Sequence, residues 1–252
     1  MPNDKKPLII ANWKMKLSSA QSAALAKEIK AKAGHRAEVA ICPSFTCLEA
    51  VGKILAGGEI KLGAQDCFWE NNGAFTGEVS ADQLKEAGCE MVIIGHSERR
   101  QHLLESDDMV HKKVRLAVQE GLTPIVCVGE TFDQRQIGAA DYVLIQQTTK
   151  ALEGIEINPK QKVIIAYEPV WVIGSGQAIE PSQAQMAHQV IRHVLFDLFP
   201  SGPAKNNFSV IYGGSVDGGN VRSFTGLEEI DGILVGGASL KAEDFLAVIR
   251  NA

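Results

Sequence analysis

The chain has 252 residues, of which 45% are hydrophobic and 22% charged, with a formal net charge of -5. This is the composition of a globular protein long enough to bury a large core, and it excludes a disordered or fibrous chain. The acidic balance argues against a general nucleic-acid binder, and it means an anionic ligand must be held by local groups.

The N-terminal Met1-Pro-Asn-Asp-Lys-Lys-Pro leads into only four apolar residues, too few for a secretory signal. Short apolar runs then recur, each followed by a helical pattern. Leu8–Ala11 precedes a helix with Leu25, Ile29 and Ala33 on one face, capped near Ser18 and stopped at Gly34. Val39–Cys42 leads to Phe45–Leu55, and Ile60–Ala64 leads through a long loop to Ser80–Ala87. Met91–Ile94 precedes a helix bearing Val110, Val114 and Ala117, with Asp107 and Asp108 at its positive end. Pro124–Val128 precedes a helix with Tyr142, Ile145, Thr149 and Leu152 at helical spacing. Val163–Tyr167 is ended by Pro169 and followed, after Pro181, by Ala187, Ile191, Val194, Leu195 and Leu198. Val210–Tyr212 and Ile233–Val235 close the series.

Continuous rather than alternating apolar strands indicate burial on both faces, hence a parallel sheet. Eight such units in this length predict a closed (β/α)8 barrel, one α/β domain over residues 1–252 with no linker or repeat. An open doubly wound sheet is the alternative, but the first strand ends Asn12-Trp13-Lys14 without the glycine fingerprint that fold usually carries. No run approaches membrane-spanning length. The five cysteines, Cys42, Cys47, Cys67, Cys89 and Cys127, lack metal-ligand spacing and read as reduced, mostly buried thiols of a cytoplasmic protein.

In a barrel the chemistry belongs at the C-terminal strand ends. These carry Asn12 and Lys14, then Gly95-His96-Ser97-Glu98, then Glu168, then Tyr212-Gly213-Gly214-Ser215, then Gly236-Gly237-Ala238-Ser239. Glu168 stands before a loop with a bulky apolar middle and two glycines, the layout of a water-excluding proton-transfer site. The glycine pairs after strands seven and eight occupy the usual phosphate position. His35, His102, His111, His188 and His193 read as ordinary surface residues, and no HExxH or paired CxxC suggests a metal.

Asn12-Trp-Lys14, Gly73-Ala-Phe-Thr-Gly-Glu78, Gly95-His-Ser-Glu-Arg-Arg100, Ala166-Tyr-Glu-Pro-Val-Trp171, Tyr212-Gly-Gly-Ser215 and Leu234-Val-Gly-Gly-Ala-Ser239, in that order, resemble the triosephosphate isomerase family. The resemblance runs from about residue 8 to residue 246. It implies a TIM barrel that interconverts dihydroxyacetone phosphate and glyceraldehyde 3-phosphate without a cofactor or metal, in glycolysis and gluconeogenesis. By the same resemblance Glu168 is the base, His96 a neutral electrophile, Lys14 the fixed cation and Asn12 an orienting group. Glu98 holds Lys14, with Ser97 also behind the reacting groups. Gly174, Ser215, Gly236 and Gly237 bind phosphate, and Tyr212 and Ser215 latch a closing lid. The third loop, from Gln65 to Glu78, carries Thr76 into a second copy and makes a homodimer.

Three residues depart from the family pattern. Val172 and Ser175 stand where the lid usually has alanine and threonine, and Asp66 stands where the third loop usually has asparagine. Asp66, if buried at the dimer interface and unpaired, is expected to take up a proton and tighten the dimer at mildly acidic pH. A metal-using epimerase, a Schiff-base aldolase and a catalytically inactive barrel that only binds are the alternatives. The first lacks strand-end metal-ligand histidines, the second lacks a lysine on a central strand, and the third leaves a filled set of site positions unexplained.

Overall fold

Leu8, Ile9, Ile10 and Ala11 pair with Gly232, Ile233, Leu234 and Val235, and that parallel pairing of the first strand with the last closes the barrel. The computed structural model describes residues 6–174 and 177–252. The first half runs β1 (Leu8–Asn12), α1 (Ser19–Lys32), β2 (Glu38–Cys42), α2 (Leu48–Leu55), β3 (Lys61–Ala64), α3 (Ala81–Glu86), β4 (Met91–Ile94), α4 (Ser97–His102) and α5 (Asp107–Gln119). The second half runs β5 (Thr123–Val128), α6 (Phe132–Gln136), α7 (Ala140–Leu152), β6 (Val163–Tyr167), α8 (Pro181–Leu198) and α9 (Ser201–Asn206). Then come β7 (Phe208–Tyr212), α10 (Val221–Thr225), β8 (Gly232–Val235) and α11 (Ala242–Asn251). The strands neighbour one another in chain order, all parallel, so the expected (β/α)8 architecture is the one observed.

The period-two alternation of a strand divides the core in two. Ile10, Cys42, Met91, Ile93, Ile125, Cys127, Ile164, Ala166 and Leu234 point inward and fill the barrel. Their neighbours Ile9, Ala11, Val39, Ile41, Val92, Val126 and Ile165 point outward and meet the helices. Asn12 continues the inward row of Ile10, and Glu168 continues that of Ile164 and Ala166. Side-chain parity therefore sets both in the barrel mouth.

Helix ends follow their local signals. Ser18 and Ser80 each form a capping box with the glutamine three residues on, at Gln21 and Gln83. All five cysteines are free and buried, as their apolar surroundings suggested.

Two sequence readings fail. On α7 the buried residues are Val143, Leu144, Thr148, Ala151 and Leu152. Tyr142 and Ile145 are exposed and Thr149 is only half-buried, so of the expected stripe Leu152 alone faces the core. His188, read as a surface residue, is completely buried on α8 against Tyr167, its ring edge-on at 5.9 Å.

Candidate active site

Asn12, Lys14, His96, Glu168, Gly174, Ser215, Gly236 and Gly237 line one cleft of about 250 Å³ at the C-terminal mouth of the barrel. Apolar Ile173, Val216 and Leu234 also line it, and the sequence reading did not single them out.

Glu168 is 2% exposed. Its Oε2 accepts the Ser97 N–H at 2.9 Å, and its Oε1 lies 3.1 Å from His96 Nε2. Glycines make the room: a Cβ on Gly129 would come within 1.7 Å of the Glu168 carbonyl oxygen, and one on Gly213 within 2.9 Å of Glu168 Cγ. His96 caps α4, and its Nδ1 accepts the Glu98 N–H at 3.2 Å. An Nδ1 that accepts must carry a lone pair, so the network assigns a neutral ring with its proton on Nε2, facing Glu168.

Lys14 has a left-handed backbone at φ 51°, unusual for a side chain with a Cβ. Two contacts hold it there. Its N–H donates to Asn12 Oδ1 at 3.0 Å, and its carbonyl accepts from Gln65 Nε2 at 2.8 Å. Its ammonium donates to Glu98 Oε1 at 2.6 Å. Burial pushes the Glu98 carboxyl up, but the bond and charge of Lys14 outweigh that and leave its pKa below the ordinary carboxylate value.

The side-chain amide of Gln65, at the start of the third loop, also reaches the Cys42 carbonyl at 2.9 Å. Thr76 stays exposed on the third loop, where Phe68 stacks on Trp69 and meets Phe75 at a tilt. Asp66 corrects its expectation: it is buried but not unpaired, lying 2.8 Å from both Lys113 Nζ and Arg99 Nη2.

Beyond Glu168, Val170–Val172 forms a short turn with Val172 buried. Trp171 Nε1 donates to Glu130 Oε1 at 3.0 Å, and the Tyr167 hydroxyl donates to the same carboxylate at 3.2 Å. Arg135 lies over the Trp171 ring at 4.8 Å and 3.2 Å from Glu130. Glu130 is fully buried, and the sequence reading missed it. The Tyr212 hydroxyl makes no hydrogen bond of good geometry. Burial pushes its pKa up to about 12, against a partial pull from the backbone of Ile179 at the far end of the loop. Ser175 and Gly176, the next residues of this loop and part of the expected lid, lie outside the described residues. Among the described residues no group of three or more His, Cys, Asp or Glu could hold a metal, and no helix is long and apolar enough to cross a membrane.

A closed parallel barrel whose C-terminal mouth gathers a buried carboxylate, a histidine and a lysine beside glycine loops defines a (β/α)8-barrel enzyme. The family profile described as triosephosphate isomerase matches residues 7–252. Triosephosphate isomerase from Chloroherpeton thalassium is 45% identical over 251 residues, 98% of this chain and 99% of that protein. The one from Pelobacter propionicus is 47% identical over 248 residues, 98% of each chain. The crystal structure of triosephosphate isomerase from Bartonella henselae superposes with a TM-score of 0.86 at 36% identity, covering 98% of this chain and 100% of that one. The chain belongs to the triosephosphate isomerase family, and it is an isomerase.

Proposed function

We propose that this one barrel domain interconverts dihydroxyacetone phosphate and D-glyceraldehyde 3-phosphate in the cytoplasm by proton transfer through an enediolate, with no cofactor. The observation that carries the reading is that Lys14, His96 and Glu168, remote along the chain, line a single cleft. The Glu168 carboxylate removes a proton from the carbon beside the carbonyl, and the electron pair of that C–H bond moves onto the carbonyl oxygen. His96 Nε2–H donates to that oxygen, and the Lys14 ammonium supplies positive charge where negative charge develops. Glu168 returns the proton to the adjacent carbon, and the hydroxyl proton passes from one oxygen to the other. Substrate takes over the His96 donor that Glu168 now faces.

Backbone groups around Gly174, Ser215, Gly236 and Gly237 hold the phosphate, close to the Lys14 side chain, which lies against Gly236. Lid closure, latched by Tyr212 and Ser215, keeps water from the enediolate and so prevents loss of phosphate. A homodimer fits the exposed apolar Met15, Leu103, Leu104 and Phe75, with Thr76 of the partner's third loop entering the cleft beside Met15 and Gln65.

The test is isomerisation of glyceraldehyde 3-phosphate followed in deuterated water. Product carries solvent deuterium on the carbon that received the proton to the extent that protonated Glu168 exchanges with solvent before it returns the proton. Turnover with none of that label that also persists undiminished in Glu168→Gln overturns the mechanism, and no turnover overturns the activity.

Val172 packs into the main apolar cluster in this position of the lid. Val172→Ala removes two buried methyl groups, weakening that position by about 1–2 kcal/mol. Turnover is expected to change several-fold, and identical kinetics would show that this residue does not set the lid's balance.

A further inference from the structure

Asp66, Lys113, Glu105 and Arg99 form a closed ring of alternating charge below the cleft. Lys113 Nζ lies 2.8 and 2.9 Å from the two Asp66 oxygens and 2.8 Å from Glu105 Oε1. Arg99 closes the ring, Nε to Glu105 Oε2 at 2.5 Å and Nη2 to Asp66 Oδ2 at 2.8 Å. Asp66, Glu105 and Lys113 are buried, at 3%, 6% and 2% exposure. The two buried anions are balanced by buried Lys113 and by half-buried Arg99, whereas removing one partner leaves an uncompensated buried charge.

The ring joins four segments: the end of β3, α4, the connection after it, and α5. Of these, α4 carries the cleft's supports. Its cap is His96, its first N–H, from Ser97, holds Glu168, and Glu98 holds Lys14. A helix of six residues has little stability of its own, so its place is set by outside contacts. Arg100 anchors one side through the Gly95 carbonyl and Asp107, and Arg99 anchors the other through the ring.

We propose that Asp66 is a positioning residue for the isomerisation, holding Arg99 so that α4 aims Ser97 at Glu168 and Glu98 at Lys14. This rests on the roles given above to Glu168 and Lys14. Asp66 does not line the main cleft, and its carboxylate is held by Lys113 and Arg99 of the ring.

The test compares wild type with Asp66→Asn, which keeps the shape and removes the charge, and with Arg99→Met, which cuts the same link elsewhere. Each single variant should lower kcat about tenfold, the scale of a small misplacement of reacting groups. KM should stay within about twofold, because the phosphate loops follow β7 and β8. The double variant should lose no more than either single one. The 1H–15N resonance of Ser97 should shift in Asp66→Asn.

Four groups face Asp66: the cations Lys113 and Arg99, the acid Glu105 and the adjacent thiol Cys67. Burial pushes the Asp66 carboxyl up to about 6, against the pull of Lys113 and Arg99. Burial also pushes Glu105 up, but there Lys113 and Arg99 win and its pKa ends low. The ratio of wild-type to Asp66→Asn kcat should therefore fall toward one as pH drops below about 6, and the substrate's own ionisation cancels in that ratio. Wild-type kcat in Asp66→Asn, additive losses in the double variant, or a KM rise with dissociation of the protein would overturn the proposal. If wild type itself is inactive on triose phosphate, the functional reading fails. The Ser97 resonance then decides the link by itself, a shift supporting it and an unmoved signal overturning it.

Discussion

Glu168→Gln is expected to lower kcat by about three orders of magnitude, the usual contribution of a positioned base, which is about 4 kcal/mol of barrier. KM should change no more than a few-fold, since the groups assigned to phosphate sit after β7 and β8. The change is nearly isosteric in a pocket where Gly129 and Gly213 leave no slack around this residue, so the fold should survive. It also alters a specific contact. The carboxylate accepts the Ser97 N–H and faces the protonated Nε2 of His96 at once. An amide can accept from only one of them, and its NH2 then meets the other donor. Glu168→Asp keeps the charge but withdraws it by one methylene, and it should retain more activity than the glutamine variant. Steady-state kinetics on glyceraldehyde 3-phosphate, with circular dichroism to monitor folding, measures both. Full activity in Glu168→Gln would remove this residue as the base.

Much of that site was legible because a barrel turns strand order into position. Several apolar runs end where the residues that line the cleft begin, so Lys14, His96, Glu168 and Ser215 could be read one strand end at a time. What stayed hidden depends on partners distant in sequence. Nothing local to Asp66 reveals that Arg99 and Lys113 arrive from α4 and α5, and a lone acid before Cys67 and Phe68 therefore reads as unpaired. Glu130 hides for the same reason, its donors Tyr167 and Trp171 lying on the next strand and its loop.

The error on α7 has a different origin. Tyr142, Ile145, Thr149 and Leu152 form a valid helical stripe, and so do Leu144, Thr148, Ala151 and Leu152 one face away. Bulk favoured the first. Packing against α5 and α8 chose the second, where small Thr148 and Ala151 let the helices approach. His188 was detectable in principle, for it falls at helical spacing within the stripe of Ala184, Ala187, Ile191 and Leu195.

That buried histidine should make the protein lose stability in mild acid. Its Nδ1–H donates to the Ala184 carbonyl at 2.7 Å, which leaves Nε2 to receive any added proton, and that atom makes no hydrogen bond of good geometry. Burial pushes the ring's pKa down to about 4, with Arg192 adding to the shift and the Ala184 and Ile211 carbonyls and Asp231 opposing it. A depressed pKa means the unfolded chain binds the proton first. The contribution to stability is complete above about pH 6.5 and is lost as pH falls toward about 4. A shift of that size is worth about 3 kcal/mol, a large part of a typical domain's total.

Asp66 works in the opposite sense over nearly the same window. Its raised pKa makes the folded state the better proton binder, so its contribution is complete below the unfolded value near 3.8 and is lost as pH rises through about 6. Unfolding free energies of wild type and His188→Gln, measured in urea from about pH 4 to 8 at one protein concentration, should diverge. The difference, wild type minus variant, should fall by about 3 kcal/mol on going to acid. For Asp66→Asn the same difference should rise as pH falls. Wild type would then show a flatter acid limb than the aspartate variant, because one buried group offsets the other. A pH-independent difference for His188→Gln would mean that water reaches Nε2 in the folded protein, and the assignment of a buried neutral ring would fall with it.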